Sequence, residues 1–270
     1  MFDADKFIQE AIASVKEKTQ GRAIIACSGG VDSSVSAVIA GRAMGDRLLA
    51  VFVDTGLMRK GEAEEVEAMF SDTGINFKSV DASKEYFDAL KGITEPEQKR
   101  KAIGEKFIRI FEREAKEPLR DLYKDEVRQV ARKLGIKSSE RQPFPGPGLA
   151  VRCLAEVTPE NIAVVREACF IVEDEIRKAA EAGKMKVPWQ YFAVLLPARS
   201  VGVQGDRRAY GRTIAVRAVE SIDGMTAAHS DIPLSVLNSI SQRITSRMKD
   251  EVNRVVYDIT DKPPATIEWE

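Results

Sequence analysis

In RAIIACSGGVDSS (residues 22–34), an apolar run leads directly into a loop of glycines and serines. The run RAIIAC (22–27) is short and apolar, which predicts a strand buried inside a parallel sheet. Beyond the loop, VSAVIAGRAMG (35–45) continues with the pattern of a helix. The junction of a strand with a helix offers unpaired backbone N–H groups and the positive end of a helix dipole. This stretch therefore predicts an α/β fold with an anion site at the loop.

The rest of the first half alternates between strand and helix patterns. The apolar run LLAVFVD (48–54) predicts a second buried strand, and INFKSVDAS (75–83) predicts a third. Helices are predicted at 3–18, 61–74, 97–116 and 121–134. Buried strands separated by helices predict a doubly wound parallel sheet.

The composition changes in the middle of the chain. QPFPGPGLAVR (142–152) holds three prolines and two glycines, which we expect to exclude a helix or a central strand. We therefore predict a first, α/β domain at 1–142, a connection at 143–158 and a second, smaller α+β domain at 159–270. In the second domain, helices are predicted at 159–182 and 233–249, and strands at 190–197, 212–220, 254–259 and 265–269.

Composition argues against several classes of function. The 270 residues include 41 Lys and Arg and 42 Asp and Glu, a net charge of −1, so the overall charge does not favour binding to nucleic acid or to a membrane. No signal-peptide pattern or run long enough to span a bilayer is evident. His229 is the only histidine, which argues against a Ser-His-Asp triad. Cys27, Cys153 and Cys169 are too far apart to predict a disulfide framework or a zinc site, so we expect a cytoplasmic protein.

The loop residues have the chemistry that a polyphosphate needs. Gly29 and Gly30 carry no Cβ, which lets the backbone turn sharply and approach a phosphate. Asp32 would be repelled by bare phosphate, so we expect it to hold a magnesium ion that bridges phosphate oxygens. Hydroxyl donors come from Ser28, Ser33 and Ser34. The absence of GxxxxGK[ST] and GxGxxG excludes a Walker loop and a dinucleotide fingerprint, and the alternative is a plain helix-capping turn.

SGGVDSS (28–34) resembles the signature of the ATP pyrophosphatase, or PP-loop, superfamily. The resemblance implies that ATP is cleaved between its α- and β-phosphates, that AMP is transferred to a substrate oxygen and that pyrophosphate is released. It implies that Asp32 and Ser33 take part in catalysis and that Asp32 holds Mg²⁺. The residues implied to bind ATP and pyrophosphate are Ser28, Gly29, Gly30, Val31, Asp32, Ser33, Ser34, Val53 and Asp54.

Further stretches resemble the GMP synthase family: AVFVDTGLMRKGE (50–62), EQKRKAIGEKFIRIF (97–111), QPFPGPGLAVR (142–152), PARSVGVQGDRRAYGRTIAVRAVES (197–221) and KPPATIEWE (262–270). The resemblance covers essentially the whole chain. It implies that the C2 oxygen of xanthosine 5′-monophosphate (XMP) is adenylated by ATP and that ammonia then displaces AMP to give GMP. The residues implied to bind XMP are Arg59, Arg100, Arg152, Lys262 and Glu268. For Arg100 and its neighbours Lys99 and Lys101, the alternative is a solvated basic helix face.

The same resemblance implies partners. The sequence begins at the first helix of the synthetase, without the glutaminase domain of the single-chain enzymes, so we expect a separate glutamine amidotransferase subunit that supplies ammonia. Residues 159–270 resemble the dimerisation domain of the family, which implies a homodimer. We expect no nucleic-acid partner and no membrane partner.

Two points stay open at the level of sequence. The family carries a lid-like loop of a few dozen residues between the positions of Glu117 and Pro118, which are adjacent here. Either the protein has lost this loop, or the protein has the loop as a disordered segment that is missing from the printed sequence. We expect the second, because active-site lids come from the least stable segments. The second open point is the reaction itself. The alternatives to GMP synthesis are an NAD synthetase and a nucleotide sensor without turnover. KPPATIEWE (262–270) and PFPGPGLA (143–150) favour GMP synthesis over NAD synthesis.

Overall fold

A computed structural model describes residues 3–19, 21–71, 73–114, 142–204 and 207–270. The helices are α1 (Ala4–Lys18), α2 (Val31–Met44), α3 (Glu62–Ser71), α4 (Ser83–Leu90), α5 (Pro96–Glu114), α6 (Pro159–Glu181) and α7 (Leu234–Arg247). The strands are β1 (Ala23–Cys27), β2 (Leu48–Asp54), β3 (Phe77–Asp81), β4 (Gln190–Gln204), β5 (Arg207–Glu220), β6 (Ala228–His229) and β7 (Val252–Asp258).

The described residues divide into two compact units. Unit 1 holds those within 1–56, 61–86 and 104–141. Unit 2 holds those within 57–60, 87–103 and 142–270. Residues 143–158, predicted as a connection, thus belong to unit 2. The exact domain boundaries at 142 and 159 stay predictions.

Unit 1 contains a parallel sheet with the strand order β1-β2-β3. The central strand β2 pairs its Ala50 with Ile25 on one side and with Phe77 on the other. Val51 and Phe52 are fully buried, as expected for a central parallel strand that is covered on both faces. The short apolar runs of the sequence are therefore explained by the position of their strands in this sheet.

Helices α1 and α2 pack together in unit 1. Asp3 caps α1 by accepting the backbone N–H groups of Asp5 and Lys6, each at 3.1 Å. The apolar cluster that joins the two helices contains Ala4, Ile8, Val35, Val38 and Ile39. This packing fixes α2, whose first turn, at residues 31–34, is the second part of the loop at 28–34.

Unit 2 contains a four-stranded sheet in which β5 pairs antiparallel with β4 and β6 and parallel with β7. Helix α6 packs along β4, and α7 packs against α6 and β7. Thr158 caps α6 by accepting the Asn161 N–H at 3.2 Å, and Pro159 follows it in the first turn, where a missing N–H costs little. The α+β character predicted for the second half is confirmed.

The sequence predicts most elements to within a few residues, but two predictions are wrong. Residues 265–269, predicted as a strand, form bends and irregular chain without regular secondary structure. Within 142–152, Gly148–Arg152 form a 3₁₀-helix although we expected no helix there, because the prolines precede this turn and do not interrupt it. Helix α4 was not predicted. The helix predicted at 121–134 lies outside the described residues.

None of the described helices combines the length and the apolar composition that crossing a bilayer requires.

Candidate functional site

The phosphate loop, residues 28–34, leaves the sheet of unit 1 at its carboxyl edge. It follows β1, and the neighbouring strand β2 ends at Asp54 on the same edge. Ligands of α/β proteins bind at this edge of a parallel sheet. Gly29 has a φ of 78°, a conformation that L side chains rarely adopt, so the turn out of β1 requires glycine at this position.

Helix α2 begins without a side-chain cap. Gly30 occupies the N-cap position, and no side chain among the described residues accepts from the first backbone N–H groups of the helix. These amides have no partners within the helix, and the helix dipole adds positive potential, so the turn attracts an anion. The side chain of Asp32 is exposed on this same turn.

The serines shape the loop. The Ser33 hydroxyl donates to the Gly30 carbonyl at 3.0 Å and accepts the Ser28 backbone N–H at 3.1 Å. A hydroxyl has a single proton, so in the 3.1 Å contact between the two hydroxyls the Ser28 Oγ–H is the donor. Ser34 is fully buried, and its Oγ has no hydrogen-bond partner among the described residues. In the described part of the loop, the first amides of α2 therefore lack a side-chain cap and the buried Ser34 hydroxyl lacks a partner, while the hydroxyls of Ser28 and Ser33 brace the turn.

The end of β2 completes this edge. Val53 is buried, while Asp54 is half-buried and its Oδ1 accepts the Gly56 N–H at 2.8 Å. The Asp54 carbonyl accepts the Ala82 N–H at 2.8 Å. Burial raises the pKa of Cys27, directly before the loop, to about 12. The thiol stays protonated at neutral pH, so Cys27 is not a nucleophile here.

In unit 2, residues 259–270 follow β7, and we call them the end segment. Arg217 of β5 is fully buried and donates to the carbonyls of Thr260 at 2.5 Å and Thr266 at 3.0 Å. Its guanidinium also pairs with the Asp258 carboxylate at 3.1 Å. A buried guanidinium must find its partners inside the protein. Arg217 thereby ties the end segment to β5.

Arg152 and Glu268, both predicted to bind XMP, contact each other. Arg152 is fully buried and donates from Nε and Nη2 to the two carboxylate oxygens of Glu268, at 3.1 and 2.8 Å. Burial acts to lower the pKa of Arg152, but the Glu268 carboxylate more than offsets this, and the pKa lies above its ordinary value. The guanidinium lies over the rings of Phe144 and Phe192, with 5.0 and 4.1 Å to their centroids. Gln190 Nε2 donates to the same carboxylate at 2.8 Å.

Lys99 is a third buried cation, on α5. Its side chain is fully buried, and Nζ donates to Glu270 Oε2 at 2.7 Å and to the Cys153 carbonyl at 2.6 Å. Burial raises the pKa of the Glu270 carboxyl, and the Lys99 ammonium opposes that rise. For Lys99 the alternative of a solvated basic face is wrong. Its spacing from the buried Ile103 and Ile110 places it on the apolar stripe of the helix, a signal available in the sequence.

Two further XMP candidates are arginines. Arg59 Nη2 donates to the Gln142 carbonyl at 3.2 Å, and its guanidinium lies 4.2 Å from the centroid of the Phe144 ring. Arg100 is exposed, and its Nε lies 3.7 Å from the Glu97 carboxylate.

Lys262 lies within the end segment. Its Nζ donates to the Gly224 carbonyl at 2.8 Å, and its backbone pairs with Ala227. The preceding Asp261 accepts from the His229 backbone N–H at 2.8 Å and contacts His229 Nδ1 at 2.9 Å. These contacts anchor the start of the segment, so Lys262 and Glu268 lie on one docked stretch of chain.

Comparison with known proteins gives two family matches. Residues 174–269 match the GMP synthase C terminal domain, and residues 3–110, which include the phosphate loop, match NAD synthase. Full-length relatives are each named as one subunit of glutamine-hydrolysing GMP synthase. The protein from Methanopyrus kandleri is 51% identical over 100% of both chains. The protein from Thermococcus kodakarensis is 52% identical over 98% of this chain and 99% of its own.

The alignment with the Methanopyrus kandleri protein is longer than this chain. It runs over 315 positions and includes all 270 residues, so about 45 positions have no counterpart here. The sequence predicts a missing loop between Glu117 and Pro118, and both residues lie outside the part of the chain that the structure describes.

Proposed function

This chain belongs to the family of synthetase subunits of glutamine-hydrolysing GMP synthase and is an ATP-dependent, GMP-forming ligase of purine biosynthesis; we propose that the phosphate loop of unit 1 binds the phosphates of ATP and that the end segment of unit 2 binds XMP. The observation that carries the first assignment is the uncapped start of α2 behind the positive-φ Gly29. The match to the GMP synthase C terminal domain over 174–269 favours XMP over the acceptor of an NAD synthetase.

The reaction needs stabilisation of a leaving diphosphate. The C2 oxygen of XMP attacks the α-phosphorus of ATP, the bond from that phosphorus to the bridging oxygen breaks, and pyrophosphate leaves. The amides at the start of α2 are fixed donors that bind the negative charge as it accumulates on the leaving group. Ammonia then attacks C2, and AMP departs with the former C2 oxygen. No step uses a side-chain nucleophile, so the remaining task of the protein is to position the reactants.

Asp32 fits a magnesium ion. Its exposed carboxylate on the first turn of α2 is an oxygen ligand of the kind that Mg²⁺ prefers. Mg²⁺ usually takes one or two carboxylates together with substrate phosphates and water, so a preformed cluster of acids is not required, and the described residues contain none. When bound, the ion neutralises charge on the phosphate oxygens. Ser33 supports this turn through its hydrogen bonds to Ser28 and Gly30.

The end segment offers complementary groups for XMP. The Lys262 ammonium has three N–H donors and donates one hydrogen bond to the Gly224 carbonyl, so it can also bind the 5′-phosphate. The Glu268 side chain is 18% exposed, and its carboxylate suits the ring N–H groups of xanthine. Arg59 and Arg100 are further candidates for the anionic part of XMP. Arg152 has no exposed surface, so we assign it no direct contact with XMP.

The partners follow from the chemistry and from the names of the relatives. Those proteins are named as one subunit of a glutamine-hydrolysing enzyme, and we infer that a separate glutaminase subunit supplies ammonia to this chain. We also infer a homodimer built on residues 159–270, where Val203 and Tyr210 expose 76% and 67% of their surface. The described cysteines are free, which agrees with a reducing, cytoplasmic setting.

The test is release of pyrophosphate from ATP by the purified chain with XMP, Mg²⁺ and ammonium. Asp32→Asn is expected to lower the rate about 100-fold, because it removes a carboxylate from the site where phosphate charge is neutralised. Asp46→Asn is the matched control, since Asp46 is an exposed acid just beyond the opposite end of α2. It is expected to leave the rate unchanged.

Two substrate controls accompany this assay. Omitting XMP should abolish pyrophosphate release, and replacing ammonium with glutamine should abolish GMP formation by the chain alone. Pyrophosphate release at the full rate without XMP would contradict the proposed acceptor. Full activity of the Asp32→Asn protein would contradict the assignment of the loop.

A further inference from the structure

We propose that Arg152 is a positioning residue, which together with Gln190 presents the Glu268 carboxylate to XMP without touching the substrate. The inference rests on the proposed XMP site at the end segment. Arg152 has no exposed surface with which to contact XMP, so any role in substrate binding must act through Glu268.

The hydrogen bonds fix the plane of the carboxylate. Arg152 donates to Glu268 Oε2 at 3.1 Å and to Oε1 at 2.8 Å, and this two-point contact sets the orientation of the group. Gln190 Nε2 adds a second donor to Oε1 at 2.8 Å. A carboxylate has about four acceptor sites, so the three donors leave one site, on Oε2. Because Glu268 is 18% exposed, this remaining site can accept an N–H donor from a ligand such as the xanthine ring.

Arg152 is itself immobilised. Its guanidinium lies over the rings of Phe144 and Phe192, with 5.0 and 4.1 Å to their centroids, and Nη1 lies 4.0 Å from the Cys169 sulfur. A buried arginine without its carboxylate partner would be an uncompensated charge, which is strongly unfavourable. The pair with Glu268 is therefore maintained before any ligand binds, so the carboxylate is pre-organised for its partner.

Lys99 supports both members of the pair. It donates to the carbonyl of Cys153, the residue after Arg152, and to the carboxylate of Glu270, two residues after Glu268. One fully buried ammonium thus links the backbone beside Arg152 to the end segment beside Glu268. This arrangement restrains the distance between the arginine and the segment that carries its carboxylate.

The experiment measures steady-state constants of the full chain with ATP, XMP, Mg²⁺ and ammonium. Arg152→Lys keeps the positive charge but loses the two-point contact, so the KM for XMP is expected to rise about tenfold. The KM for ATP is expected to stay within about twofold, because Glu268 is assigned to XMP alone. Arg212→Lys is the control, since Arg212 lies on β5 and pairs with the partly exposed Glu251, away from Glu268 in the chain. It should leave both constants unchanged.

A double-mutant cycle tests whether Arg152 acts through Glu268. In a Glu268→Gln background, Arg152→Lys should raise the KM for XMP less than about twofold further, because the oriented group is already altered. Equal effects of Arg152→Lys in both backgrounds, or equal changes in the KM values for XMP and ATP, would overturn the proposal. Gln190→Met is a milder second variant, in case Arg152→Lys does not fold. It keeps the arginine, and it should raise the KM for XMP about fivefold without changing the KM for ATP.

Failure of this inference is distinguishable from failure of the proposed function. If the wild-type chain releases pyrophosphate without XMP, the function itself is contradicted, and the inference fails with it. If the wild-type chain depends on XMP and neither Arg152→Lys nor Gln190→Met changes the KM for XMP, only the positioning role is contradicted.

Discussion

The phosphate loop in unit 1 and the end segment in unit 2 differ in how their polar groups are hydrogen-bonded. In the loop, Ser28 and Ser33 bond to each other, and the first amides of α2 have no side-chain cap. In the end segment, carboxylates and backbone carbonyls accept hydrogen bonds from buried cationic side chains. These cations are Lys99, Arg152 and Arg217.

Under the proposed function, the difference corresponds to two ways of preparing a substrate site. Among the described residues, no side chain caps the first amides of α2, so we expect the charge that they attract to come from a ligand. The end segment balances its charges internally, so it stays docked without a ligand and presents a defined surface. We expect the loop to be sensitive to backbone conformation and the end segment to be sensitive to loss of charge.

The largest expected effect tests the internal balance of the end segment. Arg217→Met should lower the free energy of unfolding by about 3–5 kcal/mol, because it leaves the Asp258 carboxylate and carbonyls of the end segment without their donor. Urea denaturation measures the change. Arg212→Met is the matched control on the same strand, where a partly exposed pair with Glu251 should contribute about 1 kcal/mol or less. Similar losses for both variants would remove the distinction between buried and exposed cations.

A smaller effect tests the backbone of the phosphate loop. Gly29→Ala forces a side chain into a positive-φ conformation, at a cost of about 1–2 kcal/mol, and should slow pyrophosphate release about tenfold. At Gly30, φ is −71°, and an added Cβ would meet only the Ser28 Oγ at 3.4 Å. Gly30→Ala should therefore leave the thermal unfolding midpoint unchanged while Gly29→Ala lowers it. Equal midpoints for the two variants would show that the loop does not depend on this conformation.

The smallest effect concerns a partly exposed charge cluster of unit 2. Hydrogen bonds from Lys178 and Arg243 hold the pKa of Asp174 well below its usual range. Since the folded pKa is below the unfolded value, the contribution to stability is present above about pH 4 and is lost as the pH falls toward the lower folded pKa. Lys178 is 59% exposed, so solvent limits the contribution to about 1 kcal/mol or less.

Unfolding of the wild-type and Asp174→Asn proteins between pH 7 and pH 3 measures this contribution. The difference in unfolding free energy should be constant near neutral pH and shrink below about pH 4. A difference that grows as the pH falls would contradict the sign. A neutral-pH effect as large as that of Arg217→Met would show that burial does not decide the contribution of a charge in this unit.

Much of the chain was predictable because its local patterns are strong. Strand β2 has the predicted bounds, and α1, α2 and α6 lie within a few residues of theirs, since the apolar runs, and the side-chain caps of α1 and α6, are local features. The strand predicted at 265–269 is wrong for a tertiary reason. The carbonyls of Thr266 and Ile267 accept from Arg217, so contacts with a side chain replace pairing with another strand.

The sequence by itself determined the parallel sheet, the glycine turn between β1 and α2 and the family to which the chain belongs. Each is encoded by contiguous residues, because a buried strand, a glycine turn and a helix start need only neighbours in the chain. Tertiary structure alone decided that Arg152 and Arg217 are fully buried, and which carboxylates these two arginines and Lys99 meet. Lys99 and Glu270 are 171 positions apart, and Arg152 and Glu268 are 116 apart. A charge enters the core only where the fold supplies a partner, and no local pattern identifies a partner so distant in sequence.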